Sequence, residues 1–373
     1  MARRGRGEGT IRFRSSDGRW EASVTLGTQR KSFYGKTRRE VTEKLRAAQR
    51  DYEQHQFVGD ERQTVAQYLA SWLETKRPGL AVSTWEGYES KVRVHINPVI
   101  GKVRLAHLTA QQVQQVMTSC VSSGLASKSA DAVYGVLHQA LQAAERLGLV
   151  ARNVADRVPR PRRVRREMHP LSREETNRFL AAARGDYLEP FFRLALSTGM
   201  RRGELLALKW RDIDLNTKRL SVVASMNWVR GEAVYSRPKT QRSRRQVALA
   251  PEMVEVLRAH RHEQRALRLR AGPAWQGERY DAVFSDELGA PLHPRRLTYQ
   301  FKRLLRVADL PMIRVHDLRH TCATLLLASR VHPKIVSELL GHSTVAITLD
   351  LYSHVLPDMQ DEAARAMSAG LNW

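Results

Sequence analysis

His316 and Arg319 stand three apart in the segment Val-His-Asp-Leu-Arg-His-Thr, which reads as the start of a helix, so the two share one face. Leu340-Gly341-His342 follows, and Tyr352 comes ten residues after His342, at the end of a second helical run. Upstream, Thr198-Gly199-Met200-Arg201-Arg202-Gly203-Glu204-Leu205 adds an arginine just past a glycine break, where a side chain can project into a cleft. Lys239 lies between them in Arg237-Pro238-Lys239-Thr240. Two guanidiniums, a lysine, imidazoles and a phenol brought to one spot could bind a phosphodiester and attack it. Guanidinium forks match phosphate oxygens with paired hydrogen bonds. A phenol titrates near about 10 and is a weak nucleophile until nearby cations stabilise its phenolate. A lysine at the scissile oxygen can protonate the leaving group.

Each residue also has a plainer reading. Glu204, three residues after Arg201, either orients the arginines or is an ordinary helix-surface carboxylate. Arg202 points elsewhere on its helix and reads as a phosphate-backbone or surface cation. Arg242, Arg244 and Arg245 follow Lys239 in what reads as a β-hairpin turn between two strands, and each could contact phosphate. His320 reads as structural. His316 and His320 are also four apart on a helix, a spacing that can hold zinc, which keeps a metal hydrolase as an alternative, although no third ligand is recognisable. Tyr352 by itself could be a buried tyrosine among Ile347, Leu349 and Leu351.

The elements that must position these residues can be read from the rest of the chain. It has 373 residues, 42% of them hydrophobic, so two or three domains with ordinary cores are expected. Lys and Arg number 62 against 38 Asp and Glu, a net charge of +24, which is the electrostatic footprint of a nucleic-acid binder. No apolar run is long enough to span a bilayer and no signal peptide is recognisable, so a cytoplasmic protein without a membrane partner is expected. Cys120 and Cys322 fall in separate predicted helices with no metal-ligand spacing, which suits a reducing compartment.

Residues 1–60 read as a small α+β domain, a three-stranded sheet plus a helix. Arg3, Arg4 and Arg6 form a basic arm. Ile11 and Phe13 alternate with Arg12 and Arg14, Trp20 to Leu26 alternate likewise, and Arg30 to Tyr34 makes a third strand. Thr37 and Glu40 form a capping box for a helix running toward Gln56. A short basic sheet can lie in a DNA major groove. Residues 64–158 read as all helix: Thr64 opens one, Ser83 and Glu86 cap the next, which stops at Asn97-Pro98, Thr109 and Gln112 cap a third, and Gly148 ends a fourth. Residues 159–169 are a linker that prolines keep extended. Its Arg160, Arg162, Arg163, Arg165 and Arg166 either form a disordered run or lie along phosphates as a strap across DNA between two domains. Residues 170–373 read as a mainly helical domain opened by Ser172 and Glu175, with strands near Leu220–Val223, Ala233–Tyr235 and Gln246–Leu249.

The ordered set Arg201, Lys239, His316, Arg319, His342 and Tyr352, in these local contexts, resembles the tyrosine recombinase (phage integrase) family. The resemblance covers about residues 10–356 and is strongest from 171 onward. It implies a multidomain fold, with an N-terminal arm-type DNA-binding domain, a helical core-binding (SAM-like) domain and a mainly-α mixed α/β catalytic domain. It implies a site-specific DNA recombinase that cleaves and rejoins DNA through a covalent 3′-phosphotyrosine, with neither cofactor nor metal. Arg201 and Arg319 would clamp the phosphate, His316 would exchange the tyrosine proton or bond phosphate, and His342 would donate to a non-bridging oxygen. Lys239 would be the general acid and Tyr352 the nucleophile. The implied partners are double-stranded DNA at core-type and arm-type attachment sites and a homotetramer on that DNA, with a host DNA-bending protein and an excision directionality factor as further candidates. A type IB topoisomerase shares the chemistry, a chromosome-dimer resolvase shares most of the fold, and a non-catalytic DNA-binding regulator would share the charge. The extra N-terminal sheet favours the integrase of a temperate phage or integrative element.

Overall fold

The structure, a computed structural model, describes residues 9–26, 29–54, 62–162, 169–236, 244–342, 344–352, 365 and 367–371. Arg3, Arg4, Arg6, Arg163, Arg165, Arg166, Lys239 and Arg242 lie outside them, and for Tyr352 the backbone of its helix is what is described. The chain divides into two compact units, residues 1–165 and 166–373. No helix among the described residues is long and apolar enough to cross a membrane.

The first unit opens with strands β1 (Thr10–Arg14), β2 (Arg19–Leu26) and β3 (Gln29–Gly35), paired antiparallel in that order, and helix α1 (Arg38–Gln54). Alternation separates the faces as expected: Ala22 and Val24 pack with Val41 and Leu45 of α1. On the opposite face Arg12 pairs with Glu21 at 2.7 Å, and Arg14 lies over the Tyr34 ring at 5.5 Å. Thr37 accepts from the Glu40 backbone N–H, as the capping pattern predicts, but the other half of the expected box is corrected: the Glu40 carboxylate accepts from the Lys36 N–H, one residue before the cap.

A separate apolar cluster is built on α2 (Val65–Lys76), α3 (Val82–Lys91), α4 (Asn97–Ile100), α5 (Ala110–Ser122) and α6 (Ser127–Arg146). Val65, Tyr68, Leu69, Trp72 and Leu73 form the buried stripe of α2. Thr64 with Gln67 and Thr109 with Gln112 form reciprocal capping boxes. Two local expectations are corrected. The cap of α3 is Ala81, with no side-chain bond, so Ser83 and Glu86 fall inside the helix. The chain also does not stop at Pro98. A π-helical turn over Val92–Ile96 resets the hydrogen-bond ladder, and Pro98 falls in the first turn of α4, where its missing N–H is no loss.

The second unit contains α7 (Arg173–Ala182), α8 (Glu189–Thr198), α9 (Arg202–Ala207), β4 (Ile213–Asp214), β5 (Arg219–Val222), β6 (Ser225–Val229), β7 (Glu232–Ser236), β8 (Arg245–Ala248), α10 (Pro251–Ala271), α11 (Gly277–Tyr280), α12 (Pro294–Val307), α13 (Asp317–Ala328), α14 (Pro333–Leu340) and α15 (Val345–Tyr352). Its core is aromatic at the centre, with Phe179, Phe191, Phe192, Phe284 and Phe301 in edge-on or tilted contact. The expected hairpin across residues 237–245 is corrected: β7 pairs with β6, whereas β8 pairs with β5 in another sheet. The tight hairpin turn is Arg230-Gly231, both at positive φ (52° and 86°), which suits the right-handed twist of the flanking strands.

Candidate active site

The site begins at the end of α8. Gly199 adopts the left-handed conformation (φ 59°), and a Cβ there would clash with the buried Leu340 side chain and lie 3.2 Å from Cys322 Sγ, so a glycine suits both the backbone angle and the space. The turn leaves Met200 buried and starts α9 from Arg201. Glu204, 4% exposed, reaches back to the start of that helix. Its carboxylate accepts from the Arg201 backbone N–H (2.9 Å), from Arg201 Nη1 (2.7 Å) and from Arg245 Nη2 (2.9 Å). Burial pushes the Glu204 carboxyl upward, but the bonds from Arg245 and Arg201 outweigh it and hold the group below the usual carboxylate range.

The arginines bind more than the carboxylate. Arg201 Nη2 donates to the Gly341 carbonyl at 3.0 Å, and Arg245 Nε donates to that of Leu339 at 2.6 Å. These carbonyls end α14, where Gly341 is left-handed (φ 67°) and the His342 N–H returns to the Ser337 carbonyl. Gly341, just before His342, is thus fastened to the start of α9, and Leu339, three before it, to β8. Arg319, 4% exposed in the first turn of α13, donates from Nη1 to the Gly199 carbonyl at 2.8 Å. Each motif arginine therefore braces the segment that carries another part of the site. Arg201 stays 37% exposed, leaving part of its guanidinium open to a ligand.

The imidazoles stand in the same electrostatic field. His316 immediately precedes α13, and burial and then the Arg319 charge lower its pKa. Burial, then Arg319 and Arg201, push His342 down to about 4. His320 packs edge-on against His316, centroids 5.5 Å apart, and burial and then His316 push it to about 4. All three are therefore neutral at neutral pH. For a group depressed in this way, stability is fully present above the ordinary value of 6.5 and is lost as pH falls toward about 4, because unfolding then takes up protons. Melting temperature should fall across that window, and His320→Gln should shallow the slope; an unaltered slope would remove His320 as a source.

The structure thus brings Arg201, Glu204, His316, Arg319 and His342 together, and α15 leads from His342 to Tyr352. One expected DNA contact is corrected. Arg245 is turned inward, its side chain 7% exposed and held by Glu204 and Leu339, because the buried Glu204 carboxylate would be strongly destabilising without a counter-charge beside it. Arg202 and Arg244 are exposed. In the first unit, Arg12 and Arg162 are exposed and Arg14 is half-buried, while Arg160 is 59% exposed with Nε bonded to buried Asp131 at 2.5 Å. Sequence reasoning missed the Arg245–Glu204 pair and also Thr348, whose hydroxyl lies 2.8 Å from His342 Nδ1.

Residues 170–359 match the phage integrase family model, and residues 64–120 match that of the phage integrase N-terminal SAM-like domain. A XerC-like tyrosine recombinase of Caldanaerobacter subterraneus subsp. tengcongensis is 30% identical, over 94% of this chain and 95% of its own. Among solved structures, the Tn1549 transposon integrase in complex with a circular intermediate DNA superposes with a TM-score of 0.68 at 21% identity, over 83% of this chain and 99% of that one. A lambda integrase tetramer bound to a Holliday junction gives 0.60 at 18%, over 94% and 96%.

Proposed function

The chain belongs to the phage integrase family and is a site-specific tyrosine recombinase, and on that premise we propose that Tyr352 cuts and rejoins duplex DNA to integrate and excise a mobile element. The observation that supports this most is the mutual bracing of Arg201 and Arg319 around the Gly199 and Gly341 carbonyls, with His316 and His342 in their field. Pre-fastened guanidiniums stabilise charge that develops on the non-bridging oxygens without having to reorganise at the moment of reaction.

In the proposed step the Tyr352 phenolic oxygen forms a bond to phosphorus while the bond to the 5′-oxygen breaks. The phenolic proton leaves toward His316, and the departing 5′-oxygen takes a proton from Lys239. The phosphodiester's energy is kept in a 3′-phosphotyrosine and returned when a 5′-hydroxyl attacks it. No step calls for a metal or nucleotide. Residues 1–60, with their basic sheet face, would read arm-type sites, and residues 64–158 and 170–373 would hold the core-type site, joined by the basic linker at 159–169. The lambda tetramer on a Holliday junction supports a homotetramer on DNA here. A host DNA-bending protein and a directionality factor fit an integrase with a separate arm-type reader. A chromosome-dimer resolvase is the second reading, favoured by the XerC-like relative.

The test is a suicide duplex nicked beside the cleavage site, incubated with the full chain in EDTA and resolved on a denaturing gel. A covalent protein–DNA band is expected. A band that appears only after divalent metal is added would overturn the mechanism.

A further inference from the structure

Of the side chains of helix α15 that are described, those of residues 345–349, most are exposed: Val345 is 36% exposed, Ile347 37% and Leu349 42%. Thr348 is the exception, at 0%. A buried hydroxyl without a partner carries a desolvation penalty, so its partner identifies what the burial serves. That partner is His342 Nδ1, at 2.8 Å. The imidazole is fixed from its own backbone as well, through the His342 N–H on the Ser337 carbonyl and the neighbouring Gly341 carbonyl on Arg201.

We infer that Thr348 is a positioning residue for the cleavage step, its hydroxyl donating to His342 Nδ1 so that the Nε2 atom carries the proton offered to a phosphate oxygen. The inference rests on the recombinase reading above. His342 is neutral near pH 7, so one of its ring nitrogens carries a proton and the other accepts one. The bond made at one nitrogen decides what the other can do, and a donor at Nδ1 leaves Nε2–H for the substrate. The same bond spans the junction between the His342 turn and α15, and Tyr352 follows Thr348 by one helical turn. One hydroxyl therefore sets the imidazole's tautomer and ties the nucleophile's helix to the arginine cluster. Seating of α15 and readiness of His342 become a single event.

Single-turnover cleavage of the nicked duplex by the full chain tests this. Thr348→Val, which keeps the shape and removes the hydroxyl, should cleave about 10–100-fold more slowly, as when an imidazole loses the partner that orients it. Affinity for an uncleavable duplex should not change. Thr348→Cys, a weak donor, should behave as Val does, and Thr348→Ser should recover most of the rate. In a His342→Ala background, Thr348→Val should add no further loss, because the hydroxyl acts through the ring. A Thr348→Val chain that cleaves at the parent rate overturns the inference. So does an equal additional loss on His342→Ala, a Thr348→Ser chain as slow as Val, or loss of DNA binding by Thr348→Val. A parent chain that forms no covalent adduct overturns the recombinase mechanism itself, and is distinguishable because it is read without any substitution at Thr348.

Discussion

Tyr352→Phe is expected to bind attachment-site duplex as the parent does and to form no covalent adduct at all. The substitution removes one oxygen and leaves an aromatic ring at the end of α15. The arginine cluster is held by bonds from Arg201 to Glu204 and Gly341, from Arg319 to Gly199, and from Arg245 to Glu204 and Leu339, and these do not depend on a phenolic oxygen. The phosphate-binding part of the site should therefore survive intact. Without the phenolic oxygen no group is left to bond to phosphorus, and the loss should be complete rather than graded. Gel shift and denaturing gel on the same samples give the two readouts. A covalent band that persists in Tyr352→Phe would falsify Tyr352 as the nucleophile and point to another side chain.

Glu204→Ala should produce the largest loss of stability among single changes in the site. The carboxylate is 4% exposed and lies between Arg201 and Arg245, the latter only 7% exposed. Removing it leaves the Arg245 charge out of water without its counter-ion, a change that costs about 3–5 kcal/mol when a buried pair is broken. It also frees the Arg201 guanidinium, so cleavage should fall together with stability. Glu204→Gln keeps the shape and one acceptor and should fall between Ala and parent. Replacing both partners, Glu204→Leu with Arg245→Met, should recover much of the stability and none of the cleavage, because the fold tolerates an apolar pair while Arg201 still lacks its brace. Urea melts of the full chain, followed beside the cleavage assay, check both halves. If Glu204→Ala melts and cleaves as the parent does, the carboxylate has no bracing role.

What was legible in the sequence was short-range or chemical. The capping boxes at Thr64, Thr109 and Ser172 are hydrogen bonds within three residues, so the letters alone specify them. The strand alternation around Ala22 and Val24 and the stripe of α2 follow from periodicities of the backbone. The candidate site residues could be picked out because phosphoryl transfer through a phenol needs particular side-chain types, and of those picked the structure gathers Arg201, His316, Arg319 and His342. Where local reading failed, a longer-range effect had won. Ser83 looked like a cap but lies within α3, and Pro98 looked like a stop until the π-turn before it moved the register. The strands on either side of Lys239 looked like one hairpin, yet they join different sheets, and strand partnership is set by packing of the whole unit.

The sequence by itself determined which side chains could bind and cut a phosphodiester, and the family to which that set points. Only the tertiary structure decided how they are held. Glu204 meets Arg245 across 41 residues, Arg319 meets Gly199 across 120, and Arg201 meets Gly341 across 140. No local pattern encodes such pairs, because neither partner constrains the residues around the other. The sign of Arg245's role turned on the same point: on a strand end it could face DNA or the interior, and the buried carboxylate of Glu204 drew it inward.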